Sequence, residues 1–260
     1  MQQKQKEWRT RAIILILIWI LLLAASLYLL DLLHTMFVNN PQGQGILSSG
    51  WAGYVVASDL DRPYEQVVGV NASWTVPRIG VFSSDTFSSA WIGIGGQFDK
   101  TLIQTGTEHD SVNGQEYYSA WYELLPDKAV RITDMRISAG DLITTSITLV
   151  ESDTNEWAIQ IYDVTKGKGF HQTFIYNSSR LSAEWIVERP TVNDEVSMLS
   201  NFGTLTFKDS YVKIGDNVGN ISSFPYSKII MTNDLSLQLA SVSPLSADGS
   251  SFNVTYLKSG

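Results

Sequence analysis

The stretch Ala183-Glu184-Trp185-Ile186-Val187-Glu188 alternates in a way that fits a strand and no helix. A strand sends successive side chains to opposite faces, so Ala183, Trp185 and Val187 share one face and Glu184, Ile186 and Glu188 the other. The first face is the natural core. The glutamates belong to the opposite surface, which is either solvated or the lining of a cleft. Tyr118-Ser119-Ala120-Trp121-Tyr122-Glu123 reads the same way, with Ser119, Trp121 and Glu123 on one face. A large aromatic beside an acid suits a binding groove, and equally an ordinary sheet surface.

Working outward, alternating or β-rich runs recur at 51–57, 66–76, 90–95, 102–105, 116–124, 130–137, 142–150, 157–164, 170–176, 183–188, 203–207, 229–231 and 252–257. Turn chemistry separates them, as in Asn113-Gly114, Ala139-Gly140-Asp141 and Lys166-Gly167-Lys168-Gly169. Strands this short and this closely spaced imply an all-β domain over residues 51–260, an antiparallel sandwich or barrel. No long period repeats, so a propeller or solenoid is not expected.

Composition narrows the chemistry. The chain has 260 residues, 44% hydrophobic and 11% aromatic, no cysteine and a formal charge of −8. So many aromatics exclude disorder. The missing cysteine excludes thiol catalysis, disulfides and Cys-ligated zinc. The negative charge argues against a nucleic-acid partner, and three histidines (His34, His109, His171) leave little material for a metal site. No metal or cofactor is expected.

The first residues stand apart. Ala12 to Leu30 carries no charge and, at 1.5 Å per residue, covers about 28 Å, close to a bilayer core. Lys4, Lys6, Arg9 and Arg11 precede it. The positive-inside bias then gives a basic cytoplasmic segment 1–11, a single transmembrane helix over 12–31 in contact with the lipid bilayer, a linker over 32–50, and the domain 51–260 outside the cell membrane. A cleaved signal peptide ending near Ala24-Ala25-Ser26 is the competing reading and would give a secreted domain. Without residues 1–31 the chain keeps 14 bases against 24 acids, a charge of −10, which suits an acidic medium. Sequons at Asn71, Asn177, Asn220 and Asn253 all fall on the exported side. A monomer is expected.

A serine hydrolase needs a nucleophile beside a histidine base, and no Gly-X-Ser-X-Gly occurs. Gly93-Ile94-Gly95-Gly96 is too short for a dinucleotide fingerprint. Paired carboxylates survive. Glu184 and Glu188 share a face but stand about 13 Å apart along a strand, beyond the reach of an acid/base pair. A partner for Glu188 must come from a neighbouring strand, either Glu123 or the amide of Gln104 in Leu102-Ile103-Gln104-Thr105-Gly106.

Four motifs then stand in order: Ala90-Trp91-Ile92-Gly93-Ile94-Gly95-Gly96, Leu102-Ile103-Gln104-Thr105-Gly106, Tyr118-Ser119-Ala120-Trp121-Tyr122-Glu123 and Ala183-Glu184-Trp185-Ile186-Val187-Glu188. Trp51-Ala52-Gly53-Tyr54, Ala72-Ser73-Trp74-Thr75-Val76-Pro77, Gly140-Asp141 and Asn201-Phe202-Gly203 support them. In this order the chain resembles the glutamic peptidases (eqolisins) over most of residues 51–210. The resemblance implies a β-sandwich of two large antiparallel sheets and an acid-acting endopeptidase with polypeptide substrates. Its dyad falls on Gln104 and Glu188, with Glu188 rather than Glu184 as the catalytic acid, and Trp91 and Glu123 near the dyad. Trp121 joins them as a substrate-binding residue.

On that reading Glu188 takes a proton from the attacking water and returns it to the leaving nitrogen, while the Gln104 amide donates to the oxyanion. A carboxylate with a pKa near its ordinary value of about 4 would set an acidic working range. The chain departs from the family where Gly95 and Ser119 stand in place of aspartates. Two other classes remain open: a carbohydrate-binding sandwich with Trp91, Trp121 and Trp185 as stacking platforms, and a glycosidase pairing Glu188 with Glu123.

Overall fold

A computed structural model of the chain describes residues 45–192 and 195–260. The apolar run expected to cross a membrane, 12–31, lies outside them; among the described residues no helix is long and apolar enough to do so. Among the described residues eighteen strands, numbered in chain order, make two eight-stranded sheets and a small hairpin.

The first sheet runs β1 (Ile46–Ser48), β16 (Tyr226–Met231), β2 (Trp51–Val56), β11 (Ala183–Glu188) and β4 (Ser89–Gly95), then β5 (Leu102–Val112), β6 (Gln115–Leu124) and β7 (Val130–Arg131). The second runs β10 (Lys168–Ile175), β9 (Glu156–Asp163), β8 (Leu142–Glu151), β3 (Val67–Thr75), β14 (Thr204–Ile214), β18 (Phe252–Tyr256) and β17 (Ala240–Val242), with β15 (Asn217–Asn220) paired to β14. The hairpin is β12 (Thr191–Val192) and β13 (Glu195–Val196). Among the described residues every pairing between these strands is antiparallel except β1 with β16.

The two sheets stack face to face. Tyr54, Ile92, Ile94, Ile103 and Trp185 of the first meet Trp74, Ile143, Ile147, Trp157, Ile159 and Phe207 of the second in one buried cluster. The alternation that marked Ala183–Glu188 as a strand therefore sends Ala183, Trp185 and Val187 into this core, as expected. Trp185, weighed as a carbohydrate platform, is fully buried between the sheets, where its Nε1 donates to the Asn71 carbonyl at 3.0 Å.

Several boundaries differ from those expected. The run read as 102–105 continues to Val112 because its inward polar residues pair with one another: Trp74 Nε1 donates to Thr107 Oγ1 at 3.0 Å, and Thr107 meets His109 Nε2 at 2.8 Å. His109, outside every run read as a strand, is buried in β5, and burial pushes its pKa down to about 3. The run 130–137 shrinks to Val130–Arg131, after which the chain leaves the sheet and tucks Ile132, Met135 and Ile137 into the core. The stretch 203–207 extends to Ile214, and Ile46–Ser48, inside the segment read as linker, pairs with Ile229–Met231. Parallel pairing of so short a strand leaves no periodic signal to read.

Candidate active site

The face of the first sheet turned away from the core carries the candidate residues in three rows set by strand register. Directly paired residues point to the same side. One row is Trp51, Glu188, Ser89, Glu108 and Ser119. The next, two residues along each strand, is Gly53, Ile186, Trp91, Gly106 and Trp121. The third is Val55, Glu184, Gly93, Gln104 and Glu123. Residues that lie far apart in the chain, Gln104, Glu123 and Glu188, thus share a face, and Val55, Trp91, Leu102, Trp121 and Ile186 form an apolar cluster under them.

Glu188 is held by two indoles. Trp51 Nε1 donates to its Oε1 at 3.1 Å and Trp91 Nε1 to its Oε2 at 2.7 Å, and the two rings meet edge to face with centroids 5.0 Å apart. Gly93 makes the Trp91 orientation possible, because a Cβ there would stand 2.8 Å from the Trp91 ring. Burial pushes the Glu188 pKa up to about 7; the two indole donors pull it down, and the nearby charge of Glu123 raises it further. The ordinary carboxylate value expected from sequence does not survive this desolvation.

Gln104 is buried and does not bond Glu188 directly. Its Nε2 donates to Glu123 Oε2 at 2.5 Å, and its Oε1 has no partner among the described residues. That bond fixes the amide's orientation with the oxygen left free to accept. Burial raises the Glu123 pKa, against the pull of the Gln104 amide. Glu123, Trp121 and Glu188 line a cleft of about 420 Å³, together with Glu108, Asp110 and the segment Pro190–Val192. Trp91, expected in the cleft wall, lies fully buried beneath it. Glu184, placed on the same face, is likewise fully buried, with neither carboxylate oxygen bonded to a described residue; burial raises its pKa well above the carboxylate range.

Three contributors escaped the sequence. Trp51 was part of a supporting motif without a role, because its pairing with Glu188 is a matter of register between β2 and β11. Glu108 and Asp110 sit in the half of β5 that alternation alone did not extend. Asp110 is pushed up to about 7, mainly by burial and then by Glu108, against Arg131. Ser119, where the family carries an aspartate, donates to Glu108 Oε2 at 2.6 Å and so supplies a neutral partner in place of a second acid. At Gly95 the backbone has φ +92°, and a Cβ would meet the Thr101 carbonyl oxygen at 2.3 Å, so this backbone admits no aspartate there.

The site sets a carboxylate gripped by two indoles and a neutral amide on one sheet face, with an open cleft lined by the carboxylate. Comparison with known proteins bears on it directly. The chain is 29% identical to Aspergillopepsin-2 of Aspergillus niger over 234 residues, 81% of this chain and 78% of that protein. It is 32% identical to Scytalidopepsin B of Scytalidium lignicola over 151 residues, 56% of this chain and 53% of that protein. Its fold superposes on aspergilloglutamic peptidase from Aspergillus niger with a TM-score of 0.59 at 29% identity, over 66% of this chain and 99% of that one. It also superposes on scytalido-glutamic peptidase bound to a transition state analog inhibitor, with a TM-score of 0.67 at 24% identity, over 81% and 99% of the two chains. Residues 49–256 match the model of the Peptidase A4 family, and the chain belongs to that family of peptide-bond hydrolases.

Proposed function

We propose that the chain is an endopeptidase that hydrolyses polypeptides with a Gln104/Glu188 dyad. The observation that carries this reading is the hold on Glu188: a largely buried carboxylate at a cleft wall, gripped by two indole donors, on the same sheet face as an amide whose oxygen is unpaired. Ionised Glu188 takes a proton from a water, whose oxygen attacks the scissile carbonyl carbon. Gln104 helps to orient that water through its free oxygen and donates its remaining N–H to the developing oxyanion. Glu188 then returns the proton to the leaving nitrogen as the C–N bond breaks. Glu123 serves by holding Gln104 in this orientation.

Because the base works ionised and its pKa is pushed up to about 7, the working range falls nearer neutrality than the acidic range expected from sequence. The glycosidase alternative needs two carboxyl groups whose pKa values are driven apart, one acid and one ionised. Glu188 and Glu123 are both driven upward, and Glu123 is occupied by the Gln104 amide. The carbohydrate-binding alternative loses all three of its platforms, Trp91, Trp121 and Trp185, to burial.

The chain acts, on this proposal, as a monomer anchored by residues 12–31 with its catalytic domain outside the cell. Glu188→Gln or Gln104→Ala should abolish cleavage of denatured casein while circular dichroism stays that of the wild type. Substantial turnover by either purified, folded variant would sink the dyad. Deleting residues 1–31 should move the protein from the membrane to the soluble fraction; a full-length chain already soluble would refute the anchor.

A further inference from the structure

The second sheet has an outer face of its own, on the side of the sandwich opposite the cleft. Its inward residues Ala72, Trp74, Ile147 and Ile161 lie in the core, so the residues between them point outward. Register sets Asn71, Ser146 and Gln160 in one outward row and Ser73, Thr144 and Tyr162 in the next. These residues and Asp209 line a cavity of about 270 Å³.

Two local features equip that cavity. The ladder between β14 and β3 slips between Lys208 and Tyr211, and there Asp209 has φ +50°, a left-handed conformation that aspartate tolerates better than most residues. Such a bulge re-aims a side chain. The exposed Asp209 carboxylate accepts the Ser73 hydroxyl on Oδ2 at 2.8 Å, and its carbonyl accepts Asn71 Nδ2 at 2.8 Å. One carboxylate oxygen is thereby fixed and the other is left for a ligand. At the far side, Tyr162 leans over Gly169, where a Cβ would stand 2.5 Å from the ring, and the tyrosine stays 46% exposed. Ser146 Oγ donates to Gln160 Oε1 at 3.4 Å, which leaves the Gln160 amide N–H groups to donate outward.

The lining selects the ligand. An apolar molecule would strand its hydroxyls and amides without partners. An anion would meet Asp209 with no base among the lining residues. A cation would gain one exposed ion pair, which contributes little. A sugar answers every group, with hydroxyls that both give and accept and a C–H face for an aromatic ring. From β9 to β14 is three strand spacings, about 14 Å, which is more than one ring spans. A second cavity of about 400 Å³ opens further along the same strands at Thr75, Thr204, Thr206 and Lys208.

We propose that this face binds a neutral glycan chain, Tyr162 stacking on one sugar ring and Asp209, held by Ser73, accepting hydrogen bonds from the hydroxyls of another. The surface is separate from the buried tryptophans considered above as platforms, and a polysaccharide bound there leaves the cleft open to polypeptide.

The test is isothermal titration of the full chain, in a detergent without sugar headgroups, with hexasaccharides of glucan, mannan and xylan, and with hexagalacturonate as the charged comparison. At least one neutral hexasaccharide should bind and hexagalacturonate should not. Tyr162→Ala should weaken that binding about tenfold, while Tyr162→Phe keeps it within about twofold. Asp209→Asn, which retains a residue tolerant of positive φ, should weaken it about threefold. Both positions are exposed, and the variants compared are those whose circular dichroism and casein cleavage match the wild type. No binding by any neutral hexasaccharide, tighter binding of hexagalacturonate, unaltered affinity in Tyr162→Ala, or competition between hexasaccharide and casein overturns the proposal. Binding is read without turnover, so a chain that binds the hexasaccharide and cleaves nothing refutes the peptidase reading alone.

Discussion

Trp91→Phe should raise the pKa of Glu188, and with it the pH at which catalysis sets in. The Trp91 indole donates to Glu188 Oε2 at 2.7 Å from a fully buried position. A hydrogen bond to an ionised group contributes about 1.5–3 kcal/mol. It serves the carboxylate more than the acid, and about 1.4 kcal/mol corresponds to one pKa unit, so its loss should move Glu188 up by about 1–2 units. The base must be ionised to take a proton from water, so activity is present above its pKa and lost as pH falls through it. The acid limb of kcat/KM, expected near 7 in the wild type, should therefore shift alkaline. Trp51→Phe should shift it in the same direction by less, since that bond is 3.1 Å long and Trp51 is only partly buried. The assay is kcat/KM against pH for a single cleaved peptide, in variants whose circular dichroism matches the wild type. An acid limb that stays in place or moves acidward in Trp91→Phe, or a larger shift from Trp51→Phe, would refute the reasoning. So would full wild-type activity at pH 3–4, where an ionised Glu188 would be scarce.

Glu123→Gln should move the same limb acidward, because the charge of Glu123 is among the causes that raise Glu188. It should also lower kcat by loosening Gln104, and a limb moving alkaline in a pH-rate profile would count against the coupling. Glu184→Gln should flatten the pH dependence of stability. A carboxyl whose folded pKa lies above its unfolded value of 4.5 contributes stability that is full below that value and is lost as pH rises, at about 1.4 kcal/mol per pH unit. Denaturant melts at pH 5 and 8 should show the wild type losing more than the variant; equal losses refute it. Trp185→Ala, at the centre of the inter-sheet core, should cost about 3–5 kcal/mol in the same melts, and a loss under about 1 kcal/mol would contradict its burial.

The fold was legible wherever a strand has one face in the core and one outside it. Alternation placed Trp185 and Val187 inward and Glu188 outward from six residues alone, and the structure agrees. Legibility failed where that contrast disappears. The second half of β5 carries Thr107, His109 and Ser111 inward, and these buried polar residues read as surface until Trp74 is seen to bond Thr107. Glu184 failed for the opposite reason: a carboxylate on the outward face was taken for a cleft or surface group, yet it is completely buried. Order of motifs pointed to Gln104 and Glu188, but nothing local in either motif says that Trp51 and Trp91 grip the acid.

On the proposed dyad, that grip lets one carboxylate serve without a second. A desolvated glutamate left alone would simply stay protonated, and its conjugate base would be too scarce to activate water. Two neutral donors oppose the desolvation without adding a titrating group, and they hold both oxygens in one orientation. On the proposed dyad the same logic governs the amide: Gln104 cannot ionise, so it offers a donor and an acceptor on the sheet face of Glu188 without adding a titrating group. Ser119 extends the pattern, giving Glu108 a hydroxyl where a second acid would compete for charge. If this balance sets the acid limb, Ser119→Asp should disturb it less than Trp91→Phe does, because Glu108 is not among the groups that shift Glu188. A larger effect from position 119 would mean that the cleft acids titrate as one coupled set, and that the two indoles are not what tunes the base.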